Sequence, residues 1–540
     1  MNAKHHETDI ILLRLPSLFG ASTVTLSATP PIGVAYLAAS LSSNGFGVSI
    51  YDGVGENIEN IYEYGSGNLY INGSSTDDIL SAIPDDIRYI GVSFPFSHEW
   101  PLYKKICRDI KHAHPNATII AGGEHATAMP EYSLAECNAI DIVVNGEGEE
   151  TIVELLKRLE SNQSYDQVAG ISYRDVDSSI KSTPRRNRIS SLDDIARPAW
   201  DLLPIENYLD GGYSFGVNIG RSMPIIASRG CPYQCTFCSN PAMWTTKWLA
   251  RSPIDVIDEM EKYIEDYSID NFDFYDLTAI VDRRWILAFT NEVIERKVNM
   301  TWQLPSGTRS EAIDGEISEL LYNSGCRNLS FSPESGSRRT LKDIKKKIKP
   351  HKMLEAMKSC IANNMVVKTN IILGFPNETF SNVIATYVFI MKMAIIGVHE
   401  TAVWTFSAYP GSEIYNDLLR RNKIPHTDEY FTSLLNYADP LNTVSWSNHF
   451  SKRTLQILML FGLLLFYGTS FALRPIRLIS NIKNIIRNTP VTRLEHVLIQ
   501  ILYRQRSPHK TGRDDHSGKQ VPPPDGSAHI PRSDVLTAER

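Results

Sequence analysis

Two separate stretches of this chain alternate short, wholly apolar runs with longer amphipathic ones, and few folds accept that alternation. In the first, runs at 10–15, 48–51, 90–93, 118–121 and 142–145 read as buried strands, with helical patterns between several of them, as at 32–44 and 99–112. Strands separated by helices pair in parallel, so 1–160 is predicted to form a doubly wound, Rossmann-like α/β sheet. In such a sheet a ligand lies beyond the carboxyl ends of the strands. Those ends are glycine-rich or polar here: Pro30-Pro31-Ile32-Gly33, Gly122-Gly123-Glu124-His125 and Gly146-Glu147-Gly148-Glu149. Glycine at such ends lets backbone amides approach a large ligand closely. The second stretch begins at 224, with strand candidates at 225–228, 271–275, 300–303, 328–332, 367–373 and 402–407. Six strand–helix repeats predict an incomplete parallel barrel, a partial (β/α)6 arrangement of TIM type, over 224–450; its active site would sit on the loops that follow the strands. Between the two, 161–223 reads as a connecting segment.

Composition removes several function classes. A chain of 540 residues exceeds one compact core, and 42% hydrophobic residues exclude wholesale disorder. The formal charge of −7 does not offer the basic face that phosphate backbones require, so no nucleic-acid partner is expected. The seven cysteines are odd in number and mostly scattered, unlike a secreted disulfide framework. MNAKHHETDI holds no apolar core of signal-peptide length. A reducing, cytoplasmic setting is therefore expected, in which clustered thiols are free to bind metal.

Three cysteines do cluster. Cys231, Cys235 and Cys238 form a C-x3-C-x2-C loop directly after the first strand of the second region. Thiolates so spaced can converge on an iron–sulfur cube, which commonly takes four, so three leave one iron open. A zinc knuckle is the alternative, but its next candidate ligands, Cys326 and His351, lie far downstream. Cys107, Cys137, Cys326 and Cys360 sit in apolar surroundings and read as small buried hydrophobes, with Cys326 the strongest exception because it lies beside the strand that bears Glu334.

The cysteine loop resembles that of the radical S-adenosylmethionine (SAM) superfamily. Other segments resemble the same family: Phe274-Tyr275-Asp276-Leu277-Thr278, Phe331-Ser332-Pro333-Glu334-Ser335-Gly336-Ser337, Gly374-Phe375-Pro376-Asn377-Glu378-Thr379 and Tyr409-Pro410-Gly411-Ser412. Upstream, residues 30–38, 121–131 and 145–149, with Leu192-Asp193-Asp194 and Pro198, resemble the cobalamin-binding domain of one branch of that superfamily. That branch includes the anaerobic magnesium-protoporphyrin monomethyl ester cyclase and many methyltransferases. The resemblance implies a 4Fe–4S cluster held by Cys231, Cys235 and Cys238, and SAM contacted by Phe237, Asp276, Arg309, Glu334 and Ser335. It implies cobalamin contacted by Pro31, Gly33, Ser93, Gly122, Gly123, Glu124, His125, Gly146 and Glu147. Arg309 reads equally well as a solvent-facing arginine, and His125 as a polar loop residue. One departure is that Asp52-Gly53-Val54-Gly55 lacks the histidine that ligates cobalt in D-x-H-x-x-G domains. The implied activity is reductive SAM cleavage to a 5′-deoxyadenosyl radical, with methylation of an unactivated carbon or phosphorus of a small biosynthetic molecule. The implied electron donor is a flavodoxin or ferredoxin. Oxidative cyclisation or rearrangement is the enzymatic alternative, and a non-catalytic cluster or cobalamin sensor the remaining one.

Residues 451–506 read as an apolar and basic helical C-terminal region. Its 455–473 segment carries no charge, and 452–506 holds nine Lys and Arg against one acid, Glu495. A helix buried on the barrel is the favoured reading, ahead of peripheral membrane contact through 452–506 and of a true span. The tail 507–540, rich in Pro, Gly, Asp and Ser, is expected to be disordered.

Overall fold

Every residue of the strand Ile10–Arg14 is buried, which is what a strand covered on both faces by helices requires. In the computed structural model this strand lies inside a seven-stranded sheet. The structure describes residues 8–20, 28–65, 69–309, 311–439 and 441–487, and isolated positions from there to 502. The tail expected at 507–540 lies outside the described residues.

Five strands of the first sheet are parallel, in the order Val48–Asp52, Ile10–Arg14, Tyr89–Ser93, Thr118–Gly122 and Ile142–Val144. The chain reverses its direction of winding between Ile10–Arg14 and Tyr89–Ser93, and the crevice at such a switch point is where doubly wound sheets bind ligands. Two further strands, Ile171–Arg174 and Ile180–Ser182, extend the sheet antiparallel beyond Ile142–Val144. They come from the stretch read as a connector; each is too short for its alternation to register in the sequence. A separate three-stranded antiparallel sheet, Ser17–Gly20, Ile61–Tyr64 and Leu69–Asn72, was likewise not anticipated.

The second sheet has six parallel strands in sequential order: Ser222–Ile225, Asn271–Phe274, Thr301–Thr308, Cys326–Glu334, Val366–Leu373 and Glu400–Thr405. Val366–Leu373 shows why these positions make a barrel wall. Val367, Thr369, Ile371 and Leu373 are buried, while the residues between them are half-buried, the period-two pattern of a strand with helices on one face only. Cys326 and Cys360 are fully buried in the same apolar core, and burial pushes both thiols up, so Cys326 is no exception. Cys107 and Cys137 are buried too, in the core of the first domain.

The two domains share that latter core: Phe94, Trp100 and Tyr103 belong to one apolar cluster with Phe375, Phe406, Tyr415 and Phe431. Polar ties reinforce it. The Tyr208 hydroxyl donates to Asp52 Oδ2 at 2.7 Å and accepts from Arg14 Nη1 at 2.7 Å. The Ser97 amide donates to the Tyr409 hydroxyl at 2.8 Å. At the C-terminal end, the helix Lys452–Leu473 buries Leu455, Met459, Gly462, Phe466 and Ser470 against the helix Phe380–Ile396 and the last barrel strand.

Candidate functional site

After Ser222–Ile225 the chain makes a two-residue ladder, Ser228–Arg229 against Leu249–Ala250, and the loop it closes carries the three cysteines. Gly230 enters that loop at φ +86°, and a Cβ there would lie 2.3 Å from the Lys247 carbonyl oxygen. A side chain is excluded on both counts. Asp276, at the end of the next strand, accepts from the Ala227 amide at 3.1 Å and from the Ser228 hydroxyl. Burial pushes its carboxyl up to about 6, the Ser228 and backbone bonds opposing. With one bond to each oxygen, Asp276 positions the loop.

Cys231, Cys235 and Cys238 are free thiols, all partly open. Burial pushes each of them up, Cys238 to about 12, while Lys346 and Arg309 favour the thiolates of Cys231 and Cys235. Thiols that burial keeps protonated become thiolates when a bound metal supplies the missing positive charge. Among the described residues no three His, Cys, Asp or Glu side chains are grouped for a single ion, so the zinc reading finds no site there. A cube, which takes each thiolate on a separate iron, does not need that convergence. The donor set therefore fits an iron–sulfur cluster. Phe237 packs on Phe375 with ring centroids 5.6 Å apart, bringing the glycine turn at 374 to the same loop.

Of the residues expected at SAM, Glu334 and Arg309 face the thiols. Glu334 is buried at φ +62°, a conformation non-glycine residues rarely hold, and its Oε1 lies 2.9 Å from Lys346 Nζ. Arg309 is buried, not solvent-facing; its guanidinium sits 3.4 Å from the centre of the Tyr233 ring, on the cysteine loop itself. Ser335 is fully buried, its hydroxyl 2.9 Å from Thr386 Oγ1 and accepting from the Ser337 amide at 3.1 Å, so it locks the strand end to a helix. Lys346, which the sequence reading missed, lies in a basic run that reads as solvated surface, and no local signal distinguishes it.

Along the first sheet the expected residues divide. Gly122 has nothing nearer than 3.8 Å to where a Cβ would lie and Gly33 nothing within 4 Å, so these ends leave room for a bulky group. Ser93 is half-buried at its strand end, and Pro31 caps the helix Ile32–Ser43 through its carbonyl. Gly123 is required at φ +102°, where a Cβ would meet the Phe94 carbonyl oxygen at 2.7 Å. The Gly146 amide donates to Thr127 Oγ1 at 2.9 Å. Asp52 accepts from the Val54 and Gly55 amides, each at 3.1 Å, with no histidine following it. The open backbone at Gly33 and Gly122 is the kind of edge that would admit a corrinoid.

Of the expected residues, His125, Glu147 and Glu124 have partners within the protein. His125 is 1% exposed, its Nδ1 2.9 Å from Ser97 Oγ and its ring 4.9 Å from that of Trp100. Burial lowers its pKa to about 3, so the ring is neutral, and its Nε2 is buried without a hydrogen-bond partner. Glu147 is held by the connecting segment and the barrel: Arg188 Nε lies 2.5 Å from it, Arg229 Nη1 3.5 Å, and the Ile189 amide donates to it at 3.1 Å. Arg229, two residues before Cys231, also pairs with Glu149 at 2.7 Å, between the rings of Tyr36 and Trp244. Glu124 accepts from Ser239, the residue after Cys238. The strand ends of the first domain thus abut the cysteine loop of the second.

Glu378 of the glycine turn accepts from the Gly374 amide at 2.7 Å, and burial pushes its carboxyl from 4.5 up to about 7. The native state then keeps a proton that the unfolded chain has lost, so stability declines as pH rises from about 4.5 through about 7. Glu378→Gln is expected to flatten that decline. Urea midpoints from pH 5 to pH 8 that run parallel for the two proteins would refute the assignment.

Residues 21–156 match the B12 binding domain model, and 225–390 match the Radical SAM superfamily model. An uncharacterized methyltransferase of Pyrococcus horikoshii is 29% identical over 76% of this chain and 83% of its own length. The anaerobic magnesium-protoporphyrin IX monomethyl ester cyclase of Rubrivivax gelatinosus is 25% identical over 76% of this chain and 69% of its own. The structure of the radical SAM methyltransferase TsrM from Kitasatospora setae, with cobalamin and a 4Fe–4S cluster bound, superposes at a TM-score of 0.58 over 77% of this chain and 78% of that one; at 16% identity it speaks to the fold. With both domains in one chain and their sites adjoining, the protein belongs to the radical SAM enzymes that carry a B12-binding domain, whose cofactors are cobalamin, SAM and a 4Fe–4S cluster.

Proposed function

We propose that the protein methylates an unactivated carbon or phosphorus of a small biosynthetic molecule, drawing electrons from a flavodoxin or ferredoxin. The observation that carries this reading is the contact of Glu124 with Ser239, which sets the ligand edge of the first sheet against the thiols of the second domain. When bound, the three groups supply one-electron cleavage of a sulfonium and a methyl group carried on cobalt. The chain supplies the rest. Cys231, Cys235 and Cys238 would hold the cluster. Lys346 and Arg309 place two positive charges beside those thiols, and Glu334 brings a carboxylate to the same space. Gly33 and Gly122 leave room for the corrinoid, and the shared core around Phe94 and Phe375 excludes water from the junction.

Oxidative cyclisation is the second reading, favoured by the similarity to the Rubrivivax gelatinosus cyclase. Anaerobic reconstitution with iron, sulfide, cobalamin and SAM, followed by mass spectrometry, separates the two. Methyl transfer yields 5′-deoxyadenosine together with S-adenosylhomocysteine. Deoxyadenosine alone would favour the cyclase type, and neither product would overturn both.

A further inference from the structure

The helix Pro475–Arg487 is amphipathic but mounted inside out. Its polar side holds the protein: Arg477 donates to the carbonyls of Gly397 and Val398 at 3.2 and 3.0 Å, and Asn484 to Glu495 at 3.0 Å. Its apolar side looks outward, with Ile476, Ile479 and Ile486 exposed at 66%, 65% and 77%. No residue of this helix is buried. An amphipathic helix of a water-soluble surface turns the other way. The outward face continues onto Lys452–Leu473, where Ile457 and Leu464 are exposed opposite the stripe that packs on the barrel.

We propose that this face binds the surface of an anionic bilayer, lying in the interface plane with its isoleucines at the acyl boundary. Charge selects this occupant. At about 100° per residue, Lys483 falls between Ile479 and Ile476 and Arg487 just beyond Ile476, and both are exposed, where they would meet lipid phosphates. The region 452–506 carries nine Lys and Arg against one acid in a chain of net charge −7. A second copy pairing face to face would bring these like charges together. The chain's own tail, rich in Pro, Gly, Asp and Ser, has only scattered large aliphatic side chains, Val521, Ile530, Val535 and Leu536, with no helical periodicity to match the face. A transmembrane course is opposed by the stripe from Leu455 to Ser470, which the barrel occupies.

The test uses the full chain and does not depend on catalysis, so it stands or falls apart from the methyl-transfer reading. Vesicles of phosphatidylcholine, alone or mixed with phosphatidylglycerol, are sedimented with the protein. We expect co-sedimentation with the mixed vesicles, loss of it at high salt, and release by carbonate. Ile479→Ser with Ile486→Ser should weaken binding at least about tenfold, since each removes a buried aliphatic side chain from the lipid contact. Lys483→Glu with Arg487→Glu should abolish the preference for phosphatidylglycerol. Circular dichroism unchanged from the parent keeps either variant informative. No binding by the parent, equal binding by the variants, retention after carbonate, binding that appears only after truncation at 506, or a dimer in light scattering that the isoleucine variant dissociates would each overturn the proposal.

Discussion

Cys235→Ala protein purified without oxygen is expected to be nearly colourless and to release no deoxyadenosine above the uncatalysed background. Two cysteines cannot retain a cluster that already has only three protein ligands, and without it no electron reaches the sulfonium. The fold should survive. Cys235 is partly open on a loop closed elsewhere, by the Ser228–Arg229 ladder and by Asp276, and truncation of such a side chain costs within about 1 kcal/mol. Iron and sulfide content, visible absorption and nucleoside release check the first part, and far-ultraviolet circular dichroism the second. A brown, active Cys235→Ala protein would end the assignment of these thiols. A colourless protein that has also unfolded would show that the thiol is structural.

Arg229→Met is expected to destabilise the protein by about 3–5 kcal/mol, the usual consequence of removing one member of a buried ion pair and leaving its partner charged. Arg229 is buried between Tyr36 and Trp244, with Glu149 at 2.7 Å and Glu147 at 3.5 Å. Arg188 still serves Glu147, so Glu149 is the carboxylate left alone. Because position 229 closes the ladder beneath Cys231, iron content should fall as well. Outer residues that orient metal ligands typically matter by about 10–100-fold in affinity or activity. Adding Glu149→Leu should recover much of the lost stability, since the orphaned charge goes with it. Urea unfolding measures both variants. A single variant within about 1 kcal/mol of the parent would mean that the junction is not held this way.

Partners far away in sequence take up several of the side chains expected at ligands. Glu147 is expected at the corrinoid from its place in a glycine-rich strand end, which is a local property. Its actual partners are Arg188 and Arg229, 41 and 82 residues away. Ser335 follows Glu334 in a recognisable motif, yet its hydroxyl is taken by Thr386, 51 residues on. His125 stands beside two glycines at an open edge, but its ring turns into the core formed by Trp100 and Phe431.

What the amino-acid order determined alone is whatever depends on neighbours along the chain: the strand runs and their helices, hence the doubly wound sheet and the six-stranded barrel, and the three thiols on one loop. Backbone hydrogen bonding and apolar periodicity act over a few residues, and so does ligand spacing. Only the tertiary structure decided which strand-end side chains face a ligand and which fasten the two domains. A carboxylate or hydroxyl is committed by the partner that burial brings within 3 Å, and Arg14 finds Tyr208 across 194 residues of sequence.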